Sequence, residues 1–372
     1  MIKKRSNILL ITCVISMLIM SIITIYSASF SLGSNYSNLY LKQTFSILFS
    51  ILIIFIITLI GNKRLFKYAY FFYILSVFLL FLTLFFGTNI NGATCWLKIG
   101  PLTFQPSEFM KISLILVIAK ITEEYHYNNK FNFKEEFKYL TKVFILTFIP
   151  SLLTFLEPDT GSVIIYILIS ISIVFISPVR KRWFVFLISI IILLLALLIN
   201  LYINYQDIFI NIFGTNIFYR IDRIMNWQLN TGMQLENSLI AISNGNITGL
   251  GLTNTSIYIP EAYSDFIFSI LTNNFGLLGA LYIIFIIIIF DLEIINNINF
   301  NSTTIEKYTL IGILTTIVYS QIQNISMTIG LLPIIGIPLP FISYGGSSLM
   351  TYMIFLAIIL NTKRKKSIYL SN

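Results

Sequence analysis

Ile259–Gly276 reads IPEAYSDFIFSILTNNFG and joins a long polar segment to an apolar run, Phe266–Phe290. At roughly 1.5 Å per residue that run is long enough to cross a bilayer as a helix. Asp265 is therefore expected where water meets the membrane, beside Ser264, at or near the cap of the entering helix. Aspartate is favoured at an N-cap, where it accepts from backbone N–H groups and complements the helix dipole. Residue type alone thus predicts a structural cap. A carboxylate there, hydrated enough to ionise, also faces whatever the membrane delivers.

Outward from this stretch, the 372-residue chain is 57% hydrophobic and only 10% charged. Soluble domains carry roughly 25% charged residues. The composition is that of an all-α polytopic membrane protein. A net charge of +9 suggests nucleic acid, but the only basic tract is the short Lys363–Lys366 tail. Most other basic residues flank apolar runs, as membrane topology requires. Cys13, in the first run, and Cys95, in a later loop, exclude a disulfide framework. His126 beside Glu123 and Glu124 makes no zinc-like cluster. Lys3–Arg5 followed by Asn7–Tyr26 resembles a signal peptide, with Ser27–Ser29 as a cleavage site. The apolar stretch is too long for a signal core of about 7–15 residues, so a retained span is expected.

Ten transmembrane helices are predicted, at 8–28, 43–61, 68–87, 106–122, 143–156, 162–177, 184–204, 266–290, 308–331 and 344–361. The fifth and sixth are the weakest, with Pro150 interrupting one and the Glu157–Gly161 turn nearly fusing the two. With both termini cytoplasmic, all but Lys42, Lys98, Lys111, Arg220 and Arg223 of the 24 basic residues lie on the inner side. The chain reads as a single membrane domain, 1–372. One long extracytoplasmic loop, 205–264, joins spans seven and eight and is too short for a large core of its own. Phe218–Trp227 within it predicts an interfacial amphipathic helix. No tandem repeat of the transporter kind is evident.

The outer acidic residues are Glu157, Asp159, Asp207, Asp222, Glu236, Glu261 and Asp265, with Arg220 and Arg223 the main cations among them. An arginine fork matches phosphate geometry, and a carboxylate takes a hydroxyl proton. The set suits a lipid-anchored phosphate and hydroxyl substrate, and equally an ordinary charged loop with weak surface ion pairs. Glu108 and Lys111 stand at i and i+3 on a membrane helix. Charges there are costly, so they are expected to face the bundle interior as a pair that shapes a substrate path or simply stabilises the structure. Gly330–Ser348, GLLPIIGIPLPFISYGGSS, cannot be a continuous helix with Pro333, Pro338 and Pro340 in it. Irregular backbone at membrane depth is tolerated where protein buries it or it lines a cavity. Ser343, Tyr344, Ser347 and Ser348 would supply hydroxyls there.

Five stretches, NGATCWLKIGPLTFQPSEFMK, EPDTGS, GMQLENSLIAISNGNITGLGL, IPEAYSDFIFSILTNNFGLLG and GLLPIIGIPLPFISYGGSS, occur in order over residues 90–350. In these the chain resembles the SEDS family of shape, elongation, division and sporulation proteins, which includes RodA, FtsW and SpoVE. The resemblance implies a ten-span peptidoglycan glycosyltransferase polymerising lipid II at the outer leaflet, with a class B penicillin-binding protein as transpeptidase partner and other elongation or division proteins around it. It maps the family's essential acid onto Asp265, so that catalysis replaces the cap as the expectation. Arg220 and Arg223 would stabilise the leaving diphosphate, alone or with a divalent cation such as magnesium or manganese that no residue pattern assigns. Glu108, Lys111, Asp159, Glu261, Ser343 and Tyr344 would line the substrate site. The short tails and total length lean toward the RodA type. Asn273-Asn274 stand where such proteins carry two acids, and Thr94-Cys95 where they carry basic residues. The rival readings are a lipid II transporter and an inactive scaffold for the transpeptidase.

Overall fold

A computed structural model describes residues 2–33, 36–90, 93–100, 102–127, 132–215, 218–219, 221–222, 232–253, 257–301 and 303–362. In chain order the elements begin with α1 Ile2–Leu32, α2 Leu39–Ile60, α3 Asn62–Lys67 and α4 Ala69–Phe86. Three short strands follow, β1 Thr88–Ile90, β2 Ala93–Ile99 and β3 Leu102–Phe104. Then come α5 Pro106–Tyr127, α6 Phe133–Leu156, α7 Thr160–Ile176, α8 Arg182–Asn204, α9 Gln206–Phe213 and α10 Met233–Asn244. The chain closes with α11 Ile267–Asn301, α12 Thr304–Thr328 and α13 Gly346–Leu360. Every apolar run in the sequence is helical. Five described helices are long and apolar enough to cross a membrane: those within α1, α2, α4, α6 and α11.

The centre of the bundle is α5, which packs against α4, α6, α7, α12 and α13. Its residues Met110–Ala119 are buried without a break. A helix enclosed on every side needs no polar face, which is why the sequence shows no amphipathic stripe there. The outward faces of α2, α4 and α6 are apolar and exposed, with Phe45, Leu48, Phe71, Ile74 and Phe144 among them. Hydrocarbon rather than water is the solvent that makes such a surface stable.

Three local expectations are corrected. The loop containing Cys95 is a small antiparallel sheet ordered β1-β2-β3, with Leu97 opposite Phe104 and Lys98 opposite Thr103. Pro150 does not interrupt its span; α6 runs through it from Phe133 to Leu156. The run beginning at Phe266 is not one crossing helix, because Gly276 adopts φ 64°, ψ −162° and breaks α11 in two. A Cβ at that position would collide with the backbone of Ile247, so only glycine permits the approach. The break is satisfied from outside the helix. Leu277 and Leu278 donate to the carbonyls of Asn246 and Ile247 at 2.9 and 3.2 Å, and Leu250 and Gly251 donate to those of Asn273 and Asn274 at 2.9 and 3.1 Å. Both cysteines are free and buried.

Candidate active site

Contacts with α1 show how the break places Asp265. Ser27 donates to Asn274, Ser16 pairs with Tyr282, and Ser6 donates to Glu293, so the second part of α11 runs antiparallel to α1. Ser264 is tied instead to the level of Ser21. Its carbonyl accepts from Ser343 Oγ at 2.6 Å, the Ser343 carbonyl accepts from Gln43 Nε2 at 3.3 Å, and that same amide reaches Ser21 Oγ at 3.2 Å. Ser21 is eleven residues from the end of α1, about 16 Å at helical rise. Residues 267–275 therefore climb as a half-helix from Asp265 toward that end, and the chain turns back at Gly276. Asp265 thus lies about 16 Å from the end of α1, at the foot of this half-helix.

The turn that carries it is wound around one residue. Glu261 has a left-handed φ of 55°, and its carbonyl accepts from the backbone N–H groups of Ser264, Asp265 and Phe266. Its carboxylate accepts from Ser264 Oγ at 3.0 Å. A left-handed non-glycine residue is held only where its surroundings over-determine it. Tyr263 in turn packs edge-on to Tyr344, whose N–H donates to the Tyr263 carbonyl at 2.9 Å, and beside Tyr36.

The Asp265 carboxylate caps no helix and has no hydrogen-bond partner among the described residues. Partly exposed, it borders the exposed Gly336, where an added Cβ would stand 3.3 Å from Oδ2. The surrounding protein strips much of its hydration, and the Glu261 charge adds to this, pushing its pKa up to about 7. An acid that is reachable, without a partner among the described residues, and with a pKa near neutrality is equipped to take a proton.

The other sequence-derived site residues fall into distinct places. Asp159 is the structural cap: Oδ1 accepts from Ser162 N at 3.0 Å at the start of α7, and Oδ2 accepts from Gln105, Ser107 and Ser162 side chains. Glu108 and Lys111 form a buried ion pair at 2.6 Å. Ser343 accepts from Leu339 N at 2.8 Å and donates to Ser264, so it braces the turn, as do Glu261 and the Tyr344 backbone. Gly161, beside Asp159, abuts Ile335 and Ile337, so the loop 333–343 separates the Asp159 group from Asp265. Arg220, Arg223 and most of the amphipathic segment Phe218–Trp227 lie outside the described residues. Asn273 and Asn274 are buried, donating to the Ala241 carbonyl and accepting from Ser27 respectively. Cys95 is buried in β2 near Asp159, Glu157 and Glu108, and burial raises its thiol pKa. Sequence reasoning missed Gln43, Gln323, Asn324 and Gly336, of which the amides were visible as polar residues in apolar runs.

A divalent cation held by the protein needs several hard oxygen ligands. Among the described residues no group of three or more histidine, cysteine, aspartate or glutamate side chains converges on such a point.

The cell cycle protein family of FtsW, RodA and SpoVE matches residues 7–368. The chain belongs to this family. It is 32% identical over 366 residues to a probable peptidoglycan glycosyltransferase FtsW of Wigglesworthia glossinidia brevipalpis, covering 94% of this chain and 91% of the relative. Stage V sporulation protein E of Bacillus subtilis is 30% identical over 305 residues, covering 78% and 77% of the two chains. Among solved structures the SEDS fold recurs in a peptidoglycan synthase complex described as coordinating polymerization and crosslinking, with a TM-score of 0.76, 22% identity and coverage of 94% and 95%. The rod shape determining protein RodA of Thermus thermophilus matches with a TM-score of 0.68 and 22% identity, over 95% and 94% of the chains. FtsW, SpoVE and RodA names all occur, which gives the RodA type no preference. Family and apolar helices together make this SEDS protein a multi-pass integral protein of the bacterial plasma membrane.

Proposed function

We propose that this SEDS protein is a peptidoglycan glycan-strand polymerase using lipid II at the outer leaflet. The observation that carries the reading is the Asp265 carboxylate: without a capping or pairing partner among the described residues, accessible, and held in irregular backbone at the foot of a half-helix. Asp265 takes the proton of the acceptor sugar's 4-hydroxyl as that oxygen attacks the anomeric carbon of the lipid-linked strand. The bond from that carbon to undecaprenyl diphosphate breaks, the pair of electrons leaves with the diphosphate, and the configuration inverts. General-base help is worth about 10²–10⁴-fold, with orientation and charge stabilisation supplying more.

Arg220 and Arg223 are the groups in this sequence suited to the leaving diphosphate, alone or together with a divalent cation such as magnesium or manganese. Glu108 and Lys111 shape the bundle beneath the site, Glu261, Ser343 and Tyr344 fix its walls, and Asp159 caps α7 behind the loop 333–343. The arrangement belongs to a single membrane unit, 1–372, of ten spans with both termini cytoplasmic and residues 205–264 outside. Its partner is a class B penicillin-binding protein, which crosslinks the strands made here.

The transport reading would use Glu108 and Lys111 as pathway groups, yet protein encloses both and they bind each other. Product analysis separates the two. Purified protein given lipid II, with and without its transpeptidase, should yield long glycan strands and undecaprenyl diphosphate; intact lipid II moved to the far leaflet of a vesicle, with no strands, refutes polymerisation.

A further inference from the structure

We propose that Asn324 is the positioning residue for the Asp265 carboxylate, acting by clamping the Asp265 turn to the loop 333–343. This inference rests on the polymerase reading. Asn324 lies on α12 and is fully buried, in a helix otherwise rich in apolar residues. An amide in such a place is costly unless its hydrogen bonds are made. Nδ2 has two hydrogens, and each has a carbonyl: Asp265 O at 2.9 Å and Ile337 O at 2.8 Å. Both acceptors belong to irregular backbone with no ladder to satisfy them. Oδ1 is buried without a partner, so the two donated bonds alone set the amide's orientation. The opposite assignment would set an oxygen against two carbonyls.

One side chain thus holds both sides of the reactive hollow. It fixes the residue that carries the acid, and it fixes the neighbour of Gly336, whose backbone borders that acid. Gln323, the preceding residue, donates to the Pro333 carbonyl at 2.8 Å and keeps the loop attached at its start. Loss of Asn324 should therefore shift the carboxylate without releasing the loop. A displacement of about 1 Å at a reacting group costs up to about 100-fold in rate.

The test compares wild type, Asn324→Ala and Asn324→Gln as purified full chains given lipid II, with elution profile and thermal midpoint reporting folding. For folded Asn324→Ala we expect kcat to fall about 10–100-fold, KM to stay within about threefold, and the midpoint of the acid limb of the pH–rate profile to move. Asn324→Gln, which keeps two donors, should recover part of kcat, and it carries the test if the alanine variant does not fold. Wild-type kcat and an unmoved acid limb in a folded variant overturn the inference alone. Activity that falls only with the folded fraction, at an unchanged midpoint, overturns it in favour of simple packing. A wild type that makes no strands refutes the polymerase reading and removes this inference with it.

Discussion

Gly336 stands directly against Asp265, close enough that a single added methyl would lie 3.3 Å from the carboxylate Oδ2. The glycine also has φ 75°, a conformation costing an L-residue about 1–2 kcal/mol. Gly336→Ala should therefore lower polymerisation at least tenfold while lowering the thermal midpoint only modestly. Glycan product per folded protein is the measurement.

The acid limb of the reaction should follow Asp265. Its ordinary carboxyl pKa is raised to about 7, so the base form is depleted as pH falls through neutrality. Below that value the rate should drop about tenfold per pH unit. A rate that is flat from pH 5 to 8, with substrate below KM, assigns the proton to another group.

Glu157 gives a stability prediction of definite sign. It is buried at the α6–α7 turn, with Thr83 donating to Oε1 and Oε2 unpartnered, and burial raises its pKa to about 7. The folded state then binds the proton more tightly than the unfolded chain does. Its stabilising effect is complete below the unfolded pKa near 4.5 and is lost as pH rises through about 7. Glu157→Gln, which keeps the acceptor for Thr83, should flatten the decline of the thermal midpoint between those limits.

The Glu108–Lys111 pair should behave as a unit. Removing one member leaves a buried charge, which typically costs about 3–5 kcal/mol, whereas replacing both by neutral groups of similar size costs far less. Lys111→Met should lower the thermal midpoint sharply, and Glu108→Gln combined with Lys111→Met should restore most of it.

The apolar helices were legible in the sequence because apolar length is a local property. The cluster of polar groups at the site was also visible through local motifs, since Asp265, Glu261, Ser343 and Tyr344 all fall within one turn and the loop that braces it. The vertical placement of Asp265 was not legible. It depends on the break at Gly276, which is stable only because Asn246–Gly251, some thirty residues earlier, supply the missing hydrogen bonds. The roles of the two aspartates were separated by the same kind of nonlocal fact: both precede helices, but only Asp159 turns its oxygens to backbone and side-chain donors. Asn324 showed only as a polar residue in an apolar run, and its meaning came from two carbonyls distant in the chain.

Asp265→Asn tests the central claim most directly, because it preserves shape while removing the base. Purified beside wild type and supplied with lipid II, the folded variant should make no glycan strands. Strands formed at the wild-type rate would contradict the account.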